Sequence, residues 1–383
     1  MMCSGSNVFR SAALFLVIAC ALILASCTNS SDTSGNFADD DILMNNLQYL
    51  GTHNSYHIQP RADIFELLLA FIPEVAPTLA YTHIPLQEQF GQQGIRQIEL
   101  DVFHDPDGSL YADHQGRTLF GEPAASGISA LDEPGLKVLH VQEIDYETTC
   151  YTFVLCLQEI KTWSDANPGH LPITVLVETK DEAIADPLDL GFAIPLEFGP
   201  EALNQVDIEI RSVFPDSQLI VPDDVRGDFA TLELAVLTQG WLPLSEARGR
   251  VMFALDNGGS IRDNYIAGHP SLTGRVLFTD SEPGTPEAAF LKRNSPTAVP
   301  GEIDMMVQLG YMVRTRADAD TEQARTGDTA RREAALSSGA HFISTDYPVP
   351  NPEFSDYQVT IPGDGVARCN PVNAGKCSEE LLQ

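Results

Sequence analysis

The stretch RQIELDVF, residues 96–103, reads as a β-strand that carries two carboxylates on one face. Side chains alternate along an extended chain, so Glu99 and Asp101 point one way while Ile98, Leu100 and Val102 point the other. Two carboxylates side by side repel each other unless a cation or a shared proton compensates them. A hard cation is bound by carboxylate and carboxamide oxygens together. Upstream, the apolar run LQYL (47–50) stops at Gly51, Thr52, His53 and Asn54; downstream, ITVLVE (173–178) ends on Glu178. Asn54 and Glu178 thus add two oxygen donors from neighbouring strands.

Further apolar runs of strand length follow at 137–141, 218–221, 251–256, 276–280, 311–316 and 341–346, with helix-like segments at 64–72, 153–167, 202–214 and 320–339. Sustained strand–helix alternation implies a mostly parallel α/β fold, and eight or nine strands suit a distorted TIM-type (β/α)8 barrel. No internal repeat and no change of composition divides the chain, so one catalytic domain is expected. Several strands end on polar residues: Asp256, Asp280, Arg314, Arg316 and Asp346 join those already named. Barrel enzymes place their sites at the C-terminal strand ends. Arg314 and Arg316 are accordingly candidate substrate contacts.

The N-terminal segment SAALFLVIACALIL (11–24) has the length of a secretory h-region and is short for a membrane span. It closes on LASC, whose Cys27 resembles the acylated cysteine of a bacterial lipobox. The expected organisation is a lipoprotein signal peptide (1–26), a lipidated polar tether (27–44) and the barrel (45–383), exported to the cell envelope and anchored in the outer membrane. Four cysteines remain after Cys3, Cys20 and Cys27: Cys150, Cys156, Cys369 and Cys377. An even number in an exported chain implies disulfides. Of three pairings, the local ones, Cys150–Cys156 and Cys369–Cys377, are favoured.

The 54 acidic residues against 22 basic ones give a net charge of −32. With no basic stripe, nucleic acid is excluded as a partner, and a monomer kept soluble by its charge is expected. His114 lies 13 residues after Asp101, and a turn at Asp107-Gly108 would bring it back. His140, in VLHVQEIDYETTC, either lines the site with Asp145 or is a satisfied core histidine. His53 and His57 lack the intervening Glu of a zinc-protease motif. The 58–92 insert with IFELLLAFI is either a lipid-contacting cap or a helix packed on the barrel.

In order and spacing, GTHNSY, IELDV, the histidine at 114 and ITVLVETKD resemble the X-region of calcium-dependent phosphatidylinositol-specific phospholipase C, most closely its bacterial secreted branch. The likeness extends through GWLPLSEARGRVMFALD (240–256) and SGAHFISTDYP (338–348). It implies attack of the inositol 2-hydroxyl on phosphorus, with Ca2+ as cofactor. It places a catalytic histidine that contacts phosphate at His53 and the general acid at His114. It gives the calcium ligands as Asn54, Glu99, Asp101 and Glu178, with Glu99 also the base, and a phosphate contact at Lys180. No lysine pair for ring phosphates is seen, so plain phosphatidylinositol or another phosphodiester is the expected substrate. One rival is a glycerophosphodiester phosphodiesterase, whose histidines are followed by Arg and Asp where this chain has Asn54 and Gln115. A second is a non-catalytic envelope lipoprotein that binds a headgroup.

Overall fold

The structure is a computed structural model that describes residues 39–363, 365–378 and 382. The expected signal peptide and Cys27 lie outside these residues. Eleven strands are present among them: Leu47–Thr52 (β1), Gln97–Phe103 (β2), Lys137–Val138 (β3), Ile173–Thr179 (β4), Leu219–Ile220 (β5), Val251–Leu255 (β6), Leu277–Thr279 (β7), Phe290–Lys292 (β8), Met312–Arg316 (β9), Phe342–Thr345 (β10) and Ala367–Cys369 (β11). Parallel pairing runs from β1 through β2, β4 and β6 to β7, and on the other side from β1 through β10 and β9 to β8. One parallel bridge, Asp280 to Phe290, joins β7 to β8. Eight strands thereby curl into a distorted barrel of the TIM type.

Two seams are thin. Beside the Asp280 bridge, β1 and β2 pair only at Gly51 and Gln97. The Gln97 side chain fills the space over Gly51, where an added Cβ would lie 2.1 Å from Gln97 Oε1. Only glycine admits that approach. The barrel strands are buried along nearly their whole length, as a sheet covered on both faces requires.

Helices Ala62–Phe71 (α1), Leu86–Gln92 (α2), Phe153–Ala166 (α3) and Pro200–Val213 (α4) pack outside. In α3 the buried residues Phe153, Cys156, Leu157, Ile160 and Ser164 follow the helical period and form one stripe against the barrel. Thr152 caps it by accepting from Leu155 N. Disulfides join Cys150 to Cys156 across its start and Cys369 to Cys377 near the chain end.

Four expectations need correction. Residues 39–44, assigned to the tether, pack against the barrel: Ile42 and Met44 are buried in its core, and Asp39 pairs with Arg248. The 137–141 run forms only the two-residue β3, antiparallel to β2 and outside the barrel. The 320–339 helix is broken at Gly327, whose φ is +71°, into Glu322–Thr326 and Ala330–Ser337. The barrel strand β8 and the antiparallel β11 were not anticipated.

Candidate active site

The register of the sheet explains the acidic cluster. Asp101 on β2 stands opposite Glu178 on β4, and Glu99 lies two residues back on the same face of β2 as Asp101. Oxygens of Glu99, Asp101 and Glu178 all approach within 4.8 Å of one another. Burial, and then neighbouring carboxylates, push Glu99 and Asp101 above the ordinary carboxylate range; Arg314 opposes this at Glu99, and Lys180 does so at Asp101. Both Asp101 oxygens lack a hydrogen-bond donor, although Lys180 Nζ stands 3.3 Å from Oδ2 and 3.5 Å from Glu178 Oε2. Although burial disfavours its charge, those two carboxylates hold Lys180 protonated.

Asn54 lies in the turn after β1, next to Ser55, which is bonded to Glu99. It is buried with φ +42°, a left-handed conformation that asparagine tolerates better than most residues. Ser55 holds this turn onto β2: its N–H donates to Glu99 O, and its Oγ accepts from Glu99 N, both at 2.9 Å. Asn54 Nδ2 donates to Tyr81 Oη at 3.1 Å, which leaves Oδ1 buried with no partner. The converging carboxylates of Glu99, Asp101 and Glu178 are the kind of oxygen donors a hard cation takes, and the unpartnered amide oxygen of Asn54 is of the same kind. The residues fit the cation.

Two histidine–aspartate dyads accompany the cluster. His53 Nδ1 donates to Asp346 Oδ1 at 2.8 Å, and its Nε2 stands 4.0 Å from Glu99 Oε1. Burial, with help from Arg316, lowers His53 to about 3. Its ring is therefore neutral and Nε2 carries a lone pair. Burial would raise Asp346, but His53 and Arg316 hold it below the usual range. In the second dyad, His140 Nδ1 donates to Asp145 Oδ2 at 2.6 Å. The tight 141–145 turn, closed by reciprocal Val141–Asp145 backbone bonds around Glu143 at φ +73°, brings the two together. Asp145 also receives His57 Nε2 at 2.9 Å, and against burial the two histidines keep its pKa low. His140 shares a cavity of about 320 Å3 with Glu178, Lys180 and Asn257.

His114 makes no direct contact with these groups. Its ring lies flat on Tyr146, with centroids 3.6 Å apart, and burial, then Arg117, lower it to about 4. Among the described residues it has no hydrogen bond or ring contact with any member of the cluster. Arg314 is buried and turned inward, bound to Glu99, Ser344 and Asn294, and Arg316 braces Asp346 from behind at 3.2 Å. Neither arginine offers its guanidinium freely to a substrate.

The insert supplies a partner that sequence reasoning missed. Tyr81 binds Asn54, accepts from His57 Nδ1 through its backbone oxygen at 3.1 Å, and stacks on the His57 ring at 4.2 Å. His83 Nε2 donates to His53 O, and Gln89 Nε2 donates to Ser55 O. The 58–92 segment thus clamps the His53–Ser55 turn from the side opposite β2. Lys292 and Asp256, paired at the ends of β8 and β6, were also missed as partners, because β8 itself was not seen.

Residues 42–371 match the family described as phosphoinositide phospholipase C, Ca2+-dependent. No curated protein matches. Similar solved structures include the calcium-dependent phosphoinositol-specific phospholipase C of a Pseudomonas species in a myoinositol complex, with 13% identity over 80% of this chain and 91% of that one and a TM-score of 0.49. The Ca2+-dependent enzyme of Streptomyces antibioticus is 17% identical over 80% and 95%, with a TM-score of 0.49. The phosphatidylinositol-specific phospholipase C of Listeria monocytogenes is 12% identical over 83% and 94%, at 0.43.

Proposed function

The chain belongs to the Ca2+-dependent phosphoinositide phospholipase C family and is a phosphoric diester hydrolase; from its own residues we propose that it cleaves phosphatidylinositol by attack of the inositol 2-hydroxyl on phosphorus. The observation that carries this reading is the pair of histidine–aspartate dyads accompanying one oxygen-rich cation site. Asn54, Glu99, Asp101 and Glu178 would hold Ca2+. When bound, the ion acidifies the attacking hydroxyl and offsets charge that develops on phosphorus.

His53 takes the hydroxyl proton at Nε2, because its neutral tautomer, held by Asp346, leaves a lone pair there. The anionic phosphodiester raises its basicity on binding. Once protonated, Nε2–H faces the phosphate and serves the contact the sequence assigned to His53. Glu99, held by Arg314, acts as a ligand rather than as the base. The new O–P bond forms as the P–O bond to glycerol breaks. His140, protonated at Nε2 and steadied by Asp145, gives its proton to the departing diacylglycerol oxygen. This moves the general-acid role from His114 to His140. Lys180, beside Asp101 and Glu178 at the cavity wall, would contact the phosphate.

Purified protein incubated with phosphatidylinositol should release diacylglycerol and a cyclic inositol phosphate. A chelator should lower the rate by about two orders of magnitude or more, the usual worth of a lost electrostatic stabiliser. Free glycerol 3-phosphate as the product, or a rate indifferent to chelator, would contradict the proposal.

Tyr81→Phe isolates the support of Asn54. The ring stays and the hydroxyl that accepts Nδ2 goes, so Ca2+ affinity should fall about 10- to 100-fold with little change in melting temperature. Isothermal titration calorimetry with Ca2+ checks it; unchanged affinity would mean that Tyr81 does not orient the ligand.

A further inference from the structure

We propose that an apolar groove beside the site binds one acyl chain of the lipid substrate, an inference that rests on the phospholipase reading above. The groove holds about 350 Å3, within the range of pockets that bind small ligands. Helix α1 forms one wall with Leu68 and Phe71, and the 184–192 segment forms the other with Ile184 and Leu188; Leu119 and Phe120 close it. Phe71 is 68% exposed, Leu188 53% and Leu119 42%. Large apolar side chains gathered around a concavity mark an interaction site, where the same residues scattered singly would not.

Two observations choose the occupant. The first is continuity. Ile184 lines both this groove and the polar cavity that contains His140, Glu178 and Lys180, and Glu143 of the groove adjoins Gln142 of that cavity. A glycerol oxygen leaving at His140 therefore has its acyl chain at the groove mouth. The second is charge. The two ionisable groups of the lining, Glu143 and Asp186, are both acidic and both spent on the walls. Glu143 accepts from Gln115 N and Ala193 N, and Asp186 accepts from Leu190 N, Gly191 N and Phe192 N. The lining presents no cation to an anionic headgroup. What it offers is apolar surface held open by hydrogen-bonded walls.

The test uses monomeric phosphatidylinositols of increasing acyl length, below their critical micelle concentrations, and an inositol phosphodiester without acyl chains. In the wild type kcat/KM should rise about fourfold per methylene, the equivalent of about 0.8 kcal/mol, until the groove is filled. Phe71→Ser and Leu188→Ser, both at exposed positions, should flatten that rise and leave turnover of the acyl-free substrate unchanged. Chain-length dependence identical in variants and wild type would overturn the proposal. A fluorescent fatty-acyl probe supplies a second readout in the presence of chelator: it should bind the wild type and lose affinity in both variants. Should the wild type cleave none of these substrates, the phospholipase reading fails, while the probe still decides the groove. Absence of probe binding, or a wild-type dimer that Phe71→Ser dissociates, would overturn it.

Discussion

His140→Ala should lose about two to four orders of magnitude in kcat on phosphatidylinositol, the contribution of a positioned general acid, while His114→Ala keeps most of its activity. The two histidines differ in surroundings rather than in chemistry. His140 has Nδ1 fixed on Asp145 and its ring in the cavity with Glu178 and Lys180. His114 is stacked on Tyr146, so its loss removes an aromatic contact worth about 0.5–1.5 kcal/mol beyond its buried area; that cost falls on stability. A leaving-group series separates the roles further. An acid is needed least when the leaving oxygen is already a weak base, so a nitrophenyl inositol phosphate should restore much of the His140→Ala rate. The same substrate should not rescue His53→Ala, which acts on the attacking hydroxyl. A His114→Ala enzyme as impaired as His140→Ala, and equally rescued, would return the acid role to His114.

The contrast between these histidines also measures what the sequence disclosed. Glu99 and Asp101 were legible because two-residue spacing on a strand dictates a shared face, and Glu178 because it ends the apolar run ITVLVE; that it stands opposite Asp101 came from the register of β2 and β4. His53 and Asn54 were legible as polar residues that end a strand. The 104–136 segment was not: it folds as short 3-10 turns and loops with no period from which the position of His114 could be read. A local signal for His140 did exist, in Asp145 five residues on across a tight turn, and it was set against an equally simple core reading. Arg314 was legible as a polar strand end but its partner was not, since alternation on β9 gives its face and not that its side chain turns to Glu99. Tyr81 had no signal at all, since its contacts at Asn54 and His57 arise from how the insert folds back. The β8 strand, three residues preceded by a loop, is too short for any pattern to show.

Asp101→Asn and Glu99→Gln should both abolish Ca2+ binding, yet shift the stability of the metal-free protein in opposite directions. Asp101 is a buried carboxylate, and its one cation, Lys180 Nζ at 3.3 Å, lies outside hydrogen-bond geometry and is shared with Glu178. An amide there removes that charge and brings a donor toward the neighbouring carboxylates, so the chelator-treated variant should gain about 1–3 kcal/mol. Glu99 is the partner of buried Arg314. Removing its charge strands the guanidinium and should cost about 3–5 kcal/mol. The wild type should trace the same conflict with pH. Burial and like charges raise Glu99 and Asp101 above their values in the unfolded chain. The folded state therefore keeps those protons to higher pH, and their stabilising contribution, complete below the ordinary carboxylate range, is lost as pH rises toward neutrality and past it. Calcium needs the ionised oxygens, so its stabilisation grows over the same interval. Melting temperatures measured with chelator and with Ca2+ should therefore diverge from pH 5 to pH 8, and the gap should vanish in both variants. A gap that narrows with pH, or a metal-free Asp101→Asn less stable than the wild type, would mean that Lys180 already neutralises this cluster and that the carboxylates are held for structure instead of for the ion.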